Sequence, residues 1–202
     1  MDYLYFFIIL GLSKLEEGGK LGFITTAYWP TADGASKLRK YILNNAKILE
    51  MVSFGDVRIF DYAKGQHNMV FVLEKCSGED KRGARDETRV KIAEVLAKHN
   101  EVPGTTIKDK LKFLTRHIEQ HIGKTEYQDE YVRVYWSAVR QGDLPRDGKA
   151  WNLMHTGRIE ATLEKVSRAA VPLGRVCDVM KGVDTGSNRV TSENPRLLAT
   201  QQ

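Results

Sequence analysis

The sequence predicts an α/β fold, and three observations in its first third support this. A short apolar run at residues 20–25 follows two glycines and is typical of a strand covered on both faces. Apolar residues within 38–46 then recur at helical spacing, and Thr31 or Asp33 would cap that helix. Two further apolar runs, 48–54 and 69–75, predict a strand hairpin. Alternating helices and strands favour a sheet whose open strand ends form the ligand side.

The chain begins with an apolar segment, Asp2 to Leu15, that predicts a helix ended by Gly18 and Gly19. Since the helix is apolar all round, we expect it to be buried in the core. The segment is shorter than the ~20 residues that span a bilayer, and it lacks the basic start of a signal peptide. We therefore expect no membrane partner.

The composition is that of a globular protein, with 42% hydrophobic and 28% charged residues. The net charge of +5 permits a polyanionic partner without requiring one. Cys76 and Cys177 stand far apart and form no CxxC pair, so a reducing cytoplasm without a structural disulfide is the expected location.

The second half of the chain carries weaker signals. Residues 77–88 are almost entirely polar and predict an exposed linker or a long turn. Beyond them the pattern predicts a strand, a helix, a strand and a helix, at 89–96, 107–122, 130–139 and 158–166. The resulting domain prediction is a first domain, an α+β segment and the start of a further domain, at 1–75, 76–170 and 171–202.

The order of these segments resembles one family, the N6-adenine-specific DNA methyltransferases of type IIG restriction–modification systems. The matching pieces follow one another as a helix with its strand, a second helix, the following strands with the loop between them, and a late glycine turn. They are Asp2–Phe7 with Lys14–Thr25, Leu38–Leu43, then Phe54–Asp56, Val57–Phe60 and Gly65–Asn68, and finally Gly182–Asn188. Each piece alone is weakly specific, and their order carries the resemblance.

The resemblance implies the second half of a Rossmann-like sheet that uses S-adenosylmethionine and acts on double-stranded DNA. An α+β segment and a truncated recognition domain would follow it. The family's Asn-Pro-Pro-Tyr loop and glycine-rich cofactor loop are absent from this sequence. The chain is therefore expected to be a fragment, inactive alone, that needs the missing N-terminal half or a partner subunit. No catalytic or cofactor-binding residue is assigned within it.

The resemblance also implies contacts to the target base and to DNA. Phe60 would stack on an extruded adenine; the alternative is a core strand residue. Tyr28 and Trp29 would line the base pocket, although Trp29 could equally anchor a buried loop. The polar loop would reach phosphates or the orphaned base, or be a solvated turn, through Lys64, Gln66, His67 and Asn68. Lys181, Thr185 and Asn188 would open the recognition domain, or form an ordinary glycine turn.

His117 and His121 lie four residues apart on a predicted helix, which is a spacing compatible with a metal. Glu119 does not directly follow His117, and no third ligand is apparent. We interpret both as solvent-facing histidines and predict no metal.

Two alternatives to the methyltransferase hypothesis remain. One is a non-catalytic DNA-binding or accessory subunit that completes a split methyltransferase. The other is a decayed remnant without function.

Overall fold

The computed structural model describes residues 3–61, 67–121, 124, 126–151, 153 and 157–178. The chain divides into two compact units, Met1–Thr156 and Gly157–Gln202. The helices of the first unit are α1 (Tyr3–Lys14), α2 (Ser36–Asn45), α3 (Arg82–Asp86) and α4 (Ile107–Glu119). Its strands are β1 (Lys20–Thr26), β2 (Ala46–Ser53), β3 (Asn68–Lys75), β4 (Arg89–Val95), β5 (Glu126–Gln128) and β6 (Val132–Arg140). The second unit contains α5 (Gly157–Ala169) and a short 3-10 turn, Leu173–Arg175.

The six strands form one sheet in the order β1-β3-β2-β4-β6-β5. Strand β3 runs antiparallel to both β1 and β2, so β1 and β2 are parallel to each other. Strand β4 is parallel to β2, whereas β6 is antiparallel to β4. The carboxyl ends of β1, β2 and β4 therefore lie at the same end of the sheet, which is called the carboxyl-end edge below.

The two faces of the sheet contribute to two different cores, as the alternation of side chains along a strand requires. On β4, Val90 and Ile92 join the core beneath α1 and α2, whereas Ala93 and Val95 join the core beneath α4. The α/β prediction is thus confirmed, together with each predicted strand and helix that falls within the described residues. None of the helices in those residues is long and apolar enough to cross a membrane.

Three local expectations about the first 45 residues are wrong. Helix α1 buries Ile8 and Leu12, but Tyr3, Phe6 and Phe7 are exposed, because only one side of the helix contacts the sheet and α2. Strand β1 is covered on only one of its two faces, because it is the outermost strand on the side of the sheet away from α4. Neither Thr31 nor Asp33 caps α2, because a 3-10 turn leads into the helix at Ala35 without a side-chain cap.

The segment after β3 is not the exposed linker that its composition suggested. It contains α3, and Arg85 on that helix is fully buried. The Arg85 guanidinium donates hydrogen bonds to the carbonyls of Leu43, Cys76 and Gly78. The sheet continues across the domain boundary predicted at residue 75, because β4, which follows that residue, pairs with β2, which precedes it. That the three predicted domains have separate functions stays a prediction.

The two histidines of α4 do not face solvent, which corrects that interpretation. His121 is buried, stacks on Tyr127 with ring centroids 3.5 Å apart, and has its Nδ1 2.7 Å from the His117 carbonyl. His117 has its Nε2 2.5 Å from the Asp129 carboxylate. The described residues contain no group of three or more metal-ligating side chains.

Asp129 joins α4 to the β5–β6 hairpin. Its carboxylate also accepts hydrogen bonds from the Tyr127 hydroxyl and from the backbone N–H groups of Tyr131 and Val132. Burial opposes ionisation, but the bonds from Val132, His117, Tyr127 and Tyr131 outweigh it and lower the pKa of Asp129 to about 2.

Gln141 completes the edge of β2 where that strand has no neighbour on the β4 side. The β2 register shifts between Ile48 and Glu50, and pairing with β4 begins only at Glu50. The Gln141 side chain, which is buried, accepts a hydrogen bond from the Ile48 N–H and donates one to the Ala46 carbonyl. One amide side chain thus takes the place of a strand partner.

We predict that Gln141→Leu lowers the free energy of unfolding by about 2–4 kcal/mol, because it leaves two buried backbone groups unpaired. Urea unfolding measures the loss, and hydrogen exchange should show reduced protection of the Ile48 amide. Gln120→Leu, at an exposed position, is the matched control. Equal stability of the two variants would contradict the role of Gln141.

We predict that Asp129→Asn destabilises the fold by about 2 kcal/mol at pH 7, from a folded pKa near 2 against an ordinary value of 3.8. Because the folded pKa is the lower one, this stabilisation is present above about pH 4 and is lost as the pH falls towards 2. The stability difference between wild type and variant should therefore shrink between pH 5 and pH 3. Urea unfolding at both pH values tests this, with Glu126→Gln as control, and a constant difference would refute it.

Candidate functional site

The carboxyl-end edge of the sheet brings three loops together. The Ala27 N–H, after β1, donates to the His67 carbonyl at 2.9 Å. The Phe54 N–H, after β2, donates to the Asn68 carbonyl at 2.9 Å. The chain entering β3 is therefore fixed between the exits of β1 and β2.

His67 is the centre of this cluster. Its ring meets the Tyr28 ring edge-on, with centroids 6.0 Å apart. Its Nδ1 lies 2.9 Å from the Gly55 carbonyl and 3.6 Å from the Asp56 carboxylate. Because a carbonyl oxygen only accepts hydrogen bonds, Nδ1 acts as the donor to Gly55.

Phe60 lies on the loop that leaves β2 and is 46% exposed. The loop is anchored by Val57 and Ile59, which are buried. Gly55 allows it to turn close to β4, because its φ is +50° and a Cβ there would lie 2.7 Å from the Val95 carbonyl oxygen. Phe60 is consequently not a core strand residue, and its ring is available to a ligand.

Tyr28 is also exposed, at 54%, so the edge presents two accessible aromatic rings and an imidazole. Flat, partly exposed rings can stack on a planar heteroaromatic base, and a histidine acceptor can take a hydrogen bond from an amino group. This arrangement suits a base better than a compact anion.

Trp29 and Asn68 do not join this surface. The Trp29 ring is 1% exposed and packs edge-on against Phe71 and Trp151 at 5.3 Å and 5.7 Å. Trp29 is therefore a buried loop anchor. Asn68 is the first residue of β3 and is also buried, because a paired strand begins where the sequence suggested a polar loop.

The remaining expected contacts lie outside the described residues. They are Lys64, Gln66, Lys181, Thr185 and Asn188.

Residues for the implied cofactor are not found at this edge. Gly18 and Gly19 lie at the opposite edge, where the Gly18 N–H donates to the Lys75 carbonyl at the end of β3. They precede β1 rather than follow a strand, so they do not form a phosphate- or nucleoside-binding turn. The described residues therefore do not fit S-adenosylmethionine by themselves.

Arg39 positions the loop that carries Tyr28, and sequence reasoning missed it. Its buried guanidinium donates to the carbonyls of Trp29, Ala32 and Gly148 at 2.6–3.1 Å. Residue 39 lies three and four positions before the buried Ile42 and Leu43. This helical spacing on the apolar face was the signal that could have identified it.

We predict that Arg39→Met lowers the free energy of unfolding by about 2–4 kcal/mol, because the buried carbonyls of Trp29 and Gly148 lose the donors that Arg39 supplies. The Trp29 loop should also loosen, with increased quenching of tryptophan fluorescence by acrylamide. Lys40→Met, at the exposed neighbouring position, should change stability by no more than about 0.5 kcal/mol. A similar response from both variants would argue against the anchoring role.

Comparison with known proteins gives matches over different parts of the chain. Residues 1–60 match the family model of the Eco57I restriction-modification methylase. The chain is 36% identical over 79 residues to the type II methyltransferases M.HincII and M.HindII of Haemophilus influenzae. This alignment covers 39% of the chain and only 15% of each relative.

Among solved structures, the type IIG restriction endonuclease BpuSI is similar with a TM-score of 0.54 at 15% identity. The similarity covers 99% of this chain and 22% of that one, and it supports a shared fold. At the level of sequence, the similarity to the Eco57I restriction-modification methylase model lies in the amino-terminal part of the chain, at residues 1–60.

Proposed function

We propose that this chain is part of a site-specific DNA methyltransferase of the type IIG restriction–modification class. The reaction of the whole protein would transfer a methyl group from S-adenosylmethionine to adenine N6 in duplex DNA. The proposal rests on the sequence match over residues 1–60 and on one observation in the fold. That observation is the contact of exposed Tyr28 with half-buried His67 at the carboxyl-end edge of the sheet, together with exposed Phe60 on the loop that leaves β2 at the same edge.

In this proposal Phe60 binds the face of an adenine turned out of the duplex. Stacking of a base on an aromatic ring contributes about 1–3 kcal/mol. The same ring face stabilises the positive charge that develops on the amino nitrogen during methyl transfer. Tyr28 would limit the other side of the pocket, and His67 Nε2 could accept a hydrogen bond from the base.

The methyl donor would be bound with the help of residues beyond the described ones, because the described residues do not fit it by themselves. We therefore propose that the 202-residue chain is inactive alone. The further DNA contacts would come from Lys64 and Gln66, and from Lys181, Thr185 and Asn188 at the start of a recognition domain. Trp29 and Asn68 would support the site from within the core.

A second candidate is an accessory subunit that completes a split methyltransferase. The exposed apolar residues of α1 favour it, since Tyr3, Phe6 and Phe7 lie on a helix beside the edge strand β1. Such a surface suits association with another polypeptide. A purified chain that binds duplex DNA with a steep salt dependence, yet does not bind S-adenosylmethionine, would support this candidate.

We predict that Phe60→Ala abolishes or strongly reduces N6-methyladenine at the motif modified by the native protein, because the base loses its stacking partner. Single-molecule sequencing of genomic DNA from cells that carry the gene at its native locus measures the modification. Phe60→Trp keeps a ring face and should retain most of it.

Thermal unfolding of both variants serves as the control, since the side chain at position 60 is half exposed. Unchanged methylation in Phe60→Ala would exclude the stacking role. Absence of N6-methyladenine at any motif in wild-type cells would exclude the proposed reaction.

A further inference from the structure

We propose that α4 binds the sugar-phosphate backbone of duplex DNA through a row of cations on its outer face. The row consists of Lys108, Lys112 and Arg116 and is called the α4 cation row. This inference rests on the proposed function only for the identity of the occupant as DNA. The surface itself follows from the structure of α4.

The three cations occupy successive turns of one helix face. They are spaced four residues apart, which at 1.5 Å per residue places them about 6 Å apart along the axis. All three side chains are exposed. Phosphates of one DNA strand are spaced about 3.4 Å apart along the duplex axis. The spacing between neighbouring cations of the row is therefore close to the spacing of every second phosphate.

The row is only partly neutralised by the protein. Within the described part of the chain, none of its three members forms an ion pair within 4.0 Å. Asp109 is the nearest acidic neighbour in sequence at the start of the helix; its carboxylate accepts bonds from the Thr106 hydroxyl and backbone N–H and also interacts with the charge of Lys112. Glu119 lies at the far end, one turn beyond Arg116, and leaves the row with a positive balance.

The regular four-residue spacing along one helix face sets the α4 cation row apart, because Lys37 and Lys40 of α2 also form no ion pair within the described residues. Some other surface cations are paired. Lys47 and Lys81, for example, lie 2.9 Å and 2.7 Å from the carboxylates of Glu74 and Glu17. A surface that keeps its positive charge unpaired is the electrostatic footprint of a polyanion partner.

A groove along the same face adds a second feature. It has a volume of about 350 Å³ and is lined by Asp109, Lys112, Phe113, Arg116, His117 and Gln120. The rings of Phe113 and His117 stack at 5.4 Å with an angle of 11° between them. His117 is held in place by Asp129, so the aromatic wall of the groove is fixed before any ligand arrives.

Helix α4 is rigid and connected to the Phe60 loop. A capping box formed by Thr106 and Asp109 begins the helix. On its inner face, Lys110 donates to the carbonyls of His99 and Val102 at 2.8 Å and 2.6 Å. The His99 Nδ1 in turn accepts the Arg58 backbone N–H, two residues before Phe60. DNA bound at α4 would therefore be positioned relative to the base site.

Duplex DNA fits these observations better than an acidic peptide does. The cations are regularly spaced on a rigid helix, as a regular polyanion requires, and the groove walls combine charge with aromatic rings. Basic and amide side chains that contact phosphates bind without reading sequence.

The experiment compares Lys112→Gln/Arg116→Gln with Lys37→Gln/Lys40→Gln, a control that removes the same charge from exposed positions of α2. Binding of the full chain to a 20-base-pair duplex is measured by fluorescence anisotropy at several salt concentrations. At about 0.1 M salt we expect the α4 variant to bind roughly tenfold to a hundredfold more weakly. Its log–log salt slope should be smaller by about 2, as the loss of two phosphate contacts predicts.

The control variant should bind nearly as the wild type does. Equal weakening by both variants would overturn the proposal, because only net charge would then matter. Equally tight binding of poly-glutamate and DNA would overturn it as well. This assay requires no methylation, so the two proposals can fail separately. If the α4 variant loses DNA binding while wild-type cells contain no N6-methyladenine, the DNA interface on α4 is supported and the proposed methyltransferase reaction is rejected.

Discussion

Strand β3 lies antiparallel between β1 and β2, and the position of the candidate site depends on this pairing. Since both neighbours run opposite to β3, they leave the sheet at the edge where β3 enters it. The exit of β1 towards Tyr28, the exit of β2 at Phe54 and the entry at His67 consequently meet. If β3 paired with only one of these two strands, an antiparallel pair would remain. Without its pairing to β1, however, His67 would no longer lie beside Tyr28.

Buried arginines hold the loops around this sheet. Arg39 and Arg85 are both 1% exposed, and each donates to three backbone carbonyls rather than to a carboxylate. The planar guanidinium suits this task because its donors point in several fixed directions. Residues distant in sequence are thereby fixed: Arg39 joins the Trp29 loop to Gly148, and Arg85 joins the end of α2 to the segment after β3. The contacts of Arg85 explain why the polar segment 77–88, which was predicted as a linker, packs as part of the first unit.

The candidate base site and the α4 cation row would perform complementary tasks if both proposals hold. Phe60 and Tyr28 offer ring faces, which bind a base but cannot hold a duplex in place. The α4 row offers charge, which holds a backbone but cannot select a base. The bond between His99 and the backbone of Arg58 connects the two surfaces. Burial, followed by the charges of Lys110 and Arg58, lowers the pKa of His99 and keeps its Nδ1 available as an acceptor.

The sequence by itself determined most of the helices and strands of this protein, although not α3 or β5. The apolar spacing in 38–46 and the apolar runs at 48–54, 69–75 and 89–96 identify α2, β2, β3 and β4, because periodicity reflects which side chains must be buried. The family resemblance also singled out Phe60, whose contact with a base stays a prediction. Tertiary structure alone decided which faces are covered: α1 exposes Phe6 because only one side meets the sheet, and Trp29 is buried because Trp151, far along the chain, packs against it. Arg39, Arg85 and Gln141 owe their roles to carbonyls brought near by folding, and local sequence does not encode such long-range partners.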